Sequence, residues 1–153
     1  MKALQLESFL PYRLSVLANE VSTRLASVYA ERFGLTIPEW RVMAVLGEVT
    51  DVSADFVCDK TGMDRVTVSR AVSRLLGKRH ILRRFCSDDR RRSRLALSAG
   101  GRRVYQQIVP LARRYEEALS AVLAPAERVT LDRLISLLQA RASALGDEGA
   151  WVD

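Results

Sequence analysis

TDVSADFVCDKTGMDRVTVSRAVSRLLGKRH, Thr50–His80, is the stretch whose reading decides the fold. Ser53 is placed to cap a short helix over about 54–61, with Phe56 and Val57 inward and Gly62 ending it. Asp64 is placed to cap a second helix over about 65–79. Its apolar positions, Val68, Val72, Leu75 and Leu76, share one side, while the other shows Arg65, Thr67, Ser69, Arg70, Ser73 and Arg74. A short helix, a tight turn with Gly and an amphipathic second helix form the pattern of a helix-turn-helix. Two packed core helices would show the same periodicity. The chemistry of the polar face separates the readings, because short hydroxyls and guanidinium groups suit base edges and phosphates.

Charge points the same way. The 153 residues carry a net +6, with 21 Arg and only 3 Lys. Between Lys60 and Arg103 there are 14 Lys+Arg against three acids, whereas the rest of the chain is net acidic. A clustered positive potential attracts a polyanion, and Arg forks bind phosphate and base edges bidentately. The competing reading is a basic face kept only for solubility. RNA is disfavoured, since Phe85 is the only aromatic residue in the window and base stacking needs more.

Other classes lack their residues. Two cysteines, Cys58 and Cys86, and one histidine, His80, make neither a disulfide framework nor a zinc site. His80 lies in GKRHILRR with no acid nearby to orient it, and no nucleotide-binding or hydrolase motif occurs. The reading is therefore of a protein without enzymatic activity, metal or cofactor. No apolar run has membrane-spanning length. The opening MKALQLESFLPYRLS has neither an apolar core nor a cleavage site, so a cytoplasmic location is expected.

Outward from the helix-turn-helix, ILRRFCSDDRRRSRLALS alternates apolar residues around a polar tip and reads as a β-hairpin, a wing. Upstream, Thr36 and Glu39 have capping-box spacing with Pro38 in the first turn, and Trp40–Leu46 is dense enough to be buried. A long helix over about 6–32 carries the stripe Leu14, Leu17, Val21, Leu25 and Val28, and Gly34 ends it. Downstream, Val104, Ile108, Leu111 and Tyr115 mark a helix that Pro110 should kink or break, followed by a last helix and a loose tail, GDEGAWVD. The predicted fold is mainly α with a small β-hairpin wing. It is a winged helix-turn-helix lobe over 34–99 with dimerisation helices over 1–33 and 100–146. Amphipathic helices at both ends favour a homodimer, which matches two-fold DNA sites.

These residues resemble the MarR family of winged helix-turn-helix regulators. Asp89, Arg91, Leu97, Ser98 and Gly101 fall on the family's wing signature, with Ser98 replacing the usual Thr. One departure is His80, which stands where the family usually has Gly, at a turn that needs a left-handed residue. The resemblance implies a homodimer on an inverted-repeat operator of double-stranded DNA. It also implies repression relieved by a small effector bound between the dimerisation helices and the DNA-reading lobe.

The residues assigned to DNA are Arg65, Thr67, Ser69, Arg70, Ser73 and Arg74 on the second helix, and Arg90, Arg91, Arg92 and Arg94 on the wing. Arg91 suits a narrow minor groove, with Asp89 orienting it and Asp88 serving the turn. For an effector such as an aromatic carboxylate or its thioester, the candidates are Arg13, Ser15, Asn19 and Ser22 on the first helix, with Trp40 and Arg41. Competing assignments are core packing for Trp40 and a salt bridge for Arg13. Two other functions stay open: a winged-helix protein-interaction module, and a redox-sensing regulator. For the latter, the arginines around Cys86 would favour thiolate, while Cys58 reads as buried and inert.

Overall fold

The computed structural model describes residues 3–85 and 93–148. The chain divides into two compact units, 1–112 and 113–153. In the first, a 3-10 turn at Leu6–Ser8 precedes α1 (Leu10–Phe33), α2 (Ile37–Glu48), α3 (Ala54–Thr61) and α4 (Arg65–Gly77). Strands β1 (Ile81–Phe85) and β2 (Ser93–Leu97) follow, then α5 (Ala99–Ser120), which runs into the second unit, and α6 (Pro125–Glu148). This is the expected order of elements.

Local chemistry explains the boundaries. Pro11 lies in the first turn of α1, and Gly34 ends that helix at φ 61°. The α2 capping box is complete: the Thr36 hydroxyl accepts from the Glu39 amide, and the Glu39 carboxylate accepts from the Thr36 amide at 2.7 Å. Ser53 accepts from the Phe56 amide at 3.1 Å, and Gly62 ends α3 at φ 66°. Both features match the sequence reading. Two further boundaries bear on the sequence reading, which allowed a kink or a break at Pro110 and a loose tail from Gly146. Helix α5 continues through Pro110 without a break, and α6 runs on to Glu148 through residues read as a loose tail.

The core of the first unit gathers around α2. Val42, Met43 and Leu46 bury against Val57 of α3, Val68, Val72 and Leu75 of α4, Ile81 of β1 and Leu95 of β2. Burying each such side chain contributes about 1.5–3 kcal/mol. Only the carboxyl half of α1 joins in: Tyr29 is buried, while Leu10, Leu14 and Leu17 stay exposed. The described part of α6 has no buried residue.

The hairpin is antiparallel, with Ile81 opposite Leu97 and Phe85 opposite Ser93. Phe85 is 63% exposed, so the expected alternation buries Ile81 but does not carry burial outward along β1. Val52 pairs with Leu95 from the other side, exchanging amide hydrogen bonds of 2.8 and 3.2 Å. The sheet is two-stranded, and Val52 adds a single bridge on the other side of β2, where Leu95, Ala96 and Leu97 are buried.

The turn from α4 into β1 shows where the missing glycine matters. The Arg79 amide donates to Leu76 O and the His80 amide to Leu75 O, which is a Schellman closure. The left-handed residue is Arg79, at φ 59°, and not His80. His80 meets a different constraint: a Cβ on Gly101 would stand 1.8 Å from its carbonyl oxygen. Ser98 completes the joint. Its amide donates to His80 O at 2.9 Å, its hydroxyl donates to Arg79 O at 2.7 Å, and the same hydroxyl accepts from the Gly101 amide at 2.9 Å. Gly101→Ala is expected to destabilise the fold by about 2–3 kcal/mol, since the obstacle is backbone and cannot rotate away. An unchanged urea midpoint would refute this reading of Gly101.

Candidate nucleic-acid interface

Recognition chemistry would sit on α4, and its local sequence explains its two faces. Asp64 caps the helix, accepting from the Thr67 amide at 2.8 Å and the Thr67 hydroxyl at 2.7 Å. These hydrogen bonds hold the exposed Asp64 carboxyl below its ordinary range. Val68, Ala71, Val72 and Leu75 are buried, and Arg65, Val66, Ser69, Arg70, Ser73 and Arg74 are exposed. The exposed set follows helical periodicity, so these side chains form one stripe facing away from α2.

The structure treats the assigned residues differently. Ser69, Arg70, Ser73 and Arg74 lie along the stripe with no side-chain partner among the described residues. Arg65 pairs with Asp55 of α3 at 3.3 Å, both groups being largely exposed, so the pair holds Arg65 only weakly. Thr67 is half-buried and its hydroxyl serves the cap. Val66 had no place in the sequence assignment, yet it is on the exposed stripe. Arg94 donates to the carbonyl of Asp51 at 3.1 Å, and Asp51 itself is left-handed at φ 63°. Arg90, Arg91 and Arg92, with Asp88, Asp89 and Cys86, lie outside the described residues. Lys60, Arg79, Arg83, Arg84, Arg102 and Arg103 add exposed cations around this lobe.

One cation of the basic window is used inside the fold. Lys78 Nζ donates to Glu39 Oε1 at 2.8 Å and to the Gly34 carbonyl at 2.7 Å. Glu39 is completely buried and is the only buried charged residue among those described. Burial opposes its ionisation, but the Lys78 and Thr36 hydrogen bonds prevail and hold its pKa below the ordinary 4.5. Capping-box spacing pointed to Glu39. Its ion pair, 39 residues away in sequence, had no local signal.

The effector candidates are only partly assembled. Arg41 donates to Ser22 at 3.2 Å. Trp40 lies between two tyrosines, 5.7 Å from Tyr29 and 6.0 Å from Tyr105 between ring centroids. The Tyr105 ring lies against Gly47, where even a Cβ would overlap it. Burial pushes the Tyr29 hydroxyl up to about 12, against the lowering effect of Arg41, so it stays protonated across physiological pH. Arg13 lines a separate groove with Glu7, Leu10, Leu14, Leu17 and Glu20. It stands 16 residues before Tyr29, roughly 24 Å along the helix. Ser15 and Asn19 are exposed on the same amino-terminal half. Tyr29 and Tyr105 escaped the sequence reading; the spacing 101–105–108 would have placed Tyr105 on the inner face of α5. Cys58 is half-buried, and burial, then Asp55, push its thiol pKa up against the pull of Arg65, which disfavours thiolate.

A helix-turn-helix with a β-hairpin packed behind its second helix defines a winged-helix protein. The sequence model of the MarR family matches residues 33–92. A MarR/EmrR family transcriptional regulator from Acinetobacter sp. ADP1 shares the fold with a TM-score of 0.85 at 26% identity, over 92% of this chain and 99% of that one. A mutant MarR from E. coli complexed with operator DNA matches with a TM-score of 0.77 at 21% identity, covering 90% and 99%. The PcaV regulator from Streptomyces coelicolor, in complex with its natural ligand, matches with a TM-score of 0.75 at 24% identity, covering 93% and 99%. No curated protein sequence matches the chain. The family match over 33–92 and the shared fold make the chain similar to MarR-family winged-helix regulators.

The buried carboxylate has a pH signature. With a folded pKa below its ordinary value, Glu39 contributes stability in full above about pH 4.5, and the contribution is lost as pH falls through the lowered value. Glu39→Gln is expected to destabilise the protein by about 2 kcal/mol at pH 7. The gap from wild type should shrink as both are titrated below about pH 4. A gap constant in pH would mean that the carboxylate is not ionised in the fold.

Proposed function

We propose that this chain is a homodimeric, sequence-specific DNA-binding transcriptional regulator, a repressor released from an inverted-repeat operator by a small ligand. It acts by binding and not by catalysis. The observation that carries the reading is the exposed Ser/Arg stripe of α4, presented by a capped helix on a rigid helix-turn-helix frame. The operator complex of the E. coli relative supports it.

Dimerisation is assigned to helices within 1–33 and 100–146, outside the DNA-reading lobe at 34–99. Leu10, Leu14 and Leu17 on α1, and Leu131, Leu134, Ile135 and Leu138 on α6, leave more apolar surface in water than isolated exposed residues would. A light-scattering mass near twice 17.1 kDa is expected, and a monomer at micromolar concentration would refute the dimer.

The effector reading rests on the Tyr29–Trp40–Tyr105 group with Arg41 and Ser22 beside it. Clustered aromatic rings next to a guanidinium suit an aromatic carboxylate or its thioester. The Streptomyces relative, determined with its natural ligand, supports a ligand-responsive protein. Within one chain Arg41 and Ser22 supply the polar contacts, and Arg13 and Ser15 do not reach the rings.

Selection of duplexes from a random pool, with DNA flanking the gene included, tests the reading. A palindromic preference and a steep salt dependence are expected. Salt-insensitive or absent duplex binding would favour a protein-interaction module instead. In the selected duplex, Arg91→Ala should weaken binding by about tenfold or more with the circular-dichroism spectrum unchanged. Wild-type affinity at matched salt would remove the wing arginine from the interface.

A further inference from the structure

We infer that Val66 is a specificity-determining residue that meets the 5-methyl group of a thymine in the major groove. The inference rests on the DNA-binding reading above and deepens it. Val66 is 59% exposed and is the only apolar side chain on the exposed stripe of α4 among the described residues. It leads that stripe, with Ser69, Arg70 and Ser73 at i+3, i+4 and i+7 on the same face. Residues in the first turn of a recognition helix are the ones that approach base edges.

Its neighbour is excluded from the same task. The Thr67 hydroxyl donates to Asp64 at 2.7 Å and its amide donates to the same carboxylate at 2.8 Å. Thr67 is also turned half inward. At the amino-terminal end of α4 the groove would therefore meet the Arg65 guanidinium and the bare isopropyl group of Val66. Val has neither donor nor acceptor. In the major groove every base pair shows hydrogen-bonding groups, and the one apolar feature is the thymine methyl. A polar base edge facing Val66 would lose its water without replacement. The side chain would thus select thymine and penalise other bases at one position. Helix stability does not account for Val here, since a β-branched residue forms helix less readily than Ala and this one buries little of its surface.

The test uses the duplex selected by the full-length protein. Thymines are replaced, one symmetric pair at a time, by deoxyuridine, which keeps every hydrogen-bonding group and removes only the methyl. At one pair the wild type should lose about fourfold in affinity per half-site, or about fifteenfold for two. Val66→Ala should bind the unmodified duplex more weakly by a similar factor and be indifferent to deoxyuridine at that pair. Its salt slope should equal the wild type's, because no phosphate contact is lost. Wild-type insensitivity to every replacement would overturn the proposal, as would a Val66→Ala variant that keeps the wild-type response. Either result with steep, salt-dependent duplex binding intact removes only the role of Val66. Failure of the wild type to bind any duplex would overturn the DNA-binding reading itself.

Discussion

The close approach of the His80 carbonyl to Gly101 sets the geometry on which the winged helix-turn-helix depends. Two backbone segments, the exit of α4 and the start of α5, lie so near that no side chain fits between them. Ser98 fastens the joint by donating to Arg79 and accepting from Gly101. The same residue follows β2 directly and caps α5, so α4, the hairpin and α5 share one corner. For the proposed DNA-binding function such a corner matters, because base readout tolerates little error in the angle between a helix in one groove and a hairpin reaching toward another. The strained αL arginine at position 79 is part of that corner. Its conformation costs about 1–2 kcal/mol that a glycine would not incur, and the Schellman hydrogen bonds and Ser98 offset it.

A second fastening lies one residue before that corner. Lys78 reaches the carboxylate of Glu39 and the carbonyl of Gly34, so the end of α4 is tied to the junction of α1 and α2. Apolar packing of α2 against α4 fixes their separation but resists sliding weakly, because the contacts are non-directional. A charge-assisted hydrogen bond to a buried carboxylate is directional. Together the two fastenings determine where the stripe of α4 points.

Much of this was legible in sequence. Ser53, Gly62, Asp64, Thr36 and Gly34 are local signals, each acting within four residues, and each acts where expected. What escaped was non-local. Val52 pairs with Leu95, and Lys78 with Glu39, across about 40 residues, and neither partner carries a mark of the other. Tyr105 was missed because a stripe drawn through Val104 and Ile108 satisfied helical periodicity without it. The sequence marks His80 as the departure in the turn after α4, yet the left-handed residue is Arg79, one position earlier. A Schellman closure needs its left-handed residue immediately after the cap, which is Lys78 here. On α4, residue type points to Thr67 and gives no mark of Val66, because side-chain direction is not written in residue type: the cap turns Thr67 toward Asp64, and Val66 faces outward.

The basic window is therefore not one uniform surface. Lys78 is committed to a buried carboxylate, Arg94 to a backbone carbonyl, and Arg65 is weakly shared with Asp55. Arg70 and Arg74 on α4 remain open to solvent, as do Arg83, Arg84, Arg102 and Arg103. Counterion release counts only cations that meet phosphate, so under the proposed function the salt dependence of DNA binding should fall short of what the net charge of the window suggests. Nearly all of its cations are arginines, whose planar forks can satisfy a carbonyl or carboxylate and a phosphate in turn. A lysine-rich window of equal charge would attract DNA as strongly at long range. It would lack the fixed hydrogen-bond directions with which a guanidinium can serve either a carbonyl of the fold or a phosphate.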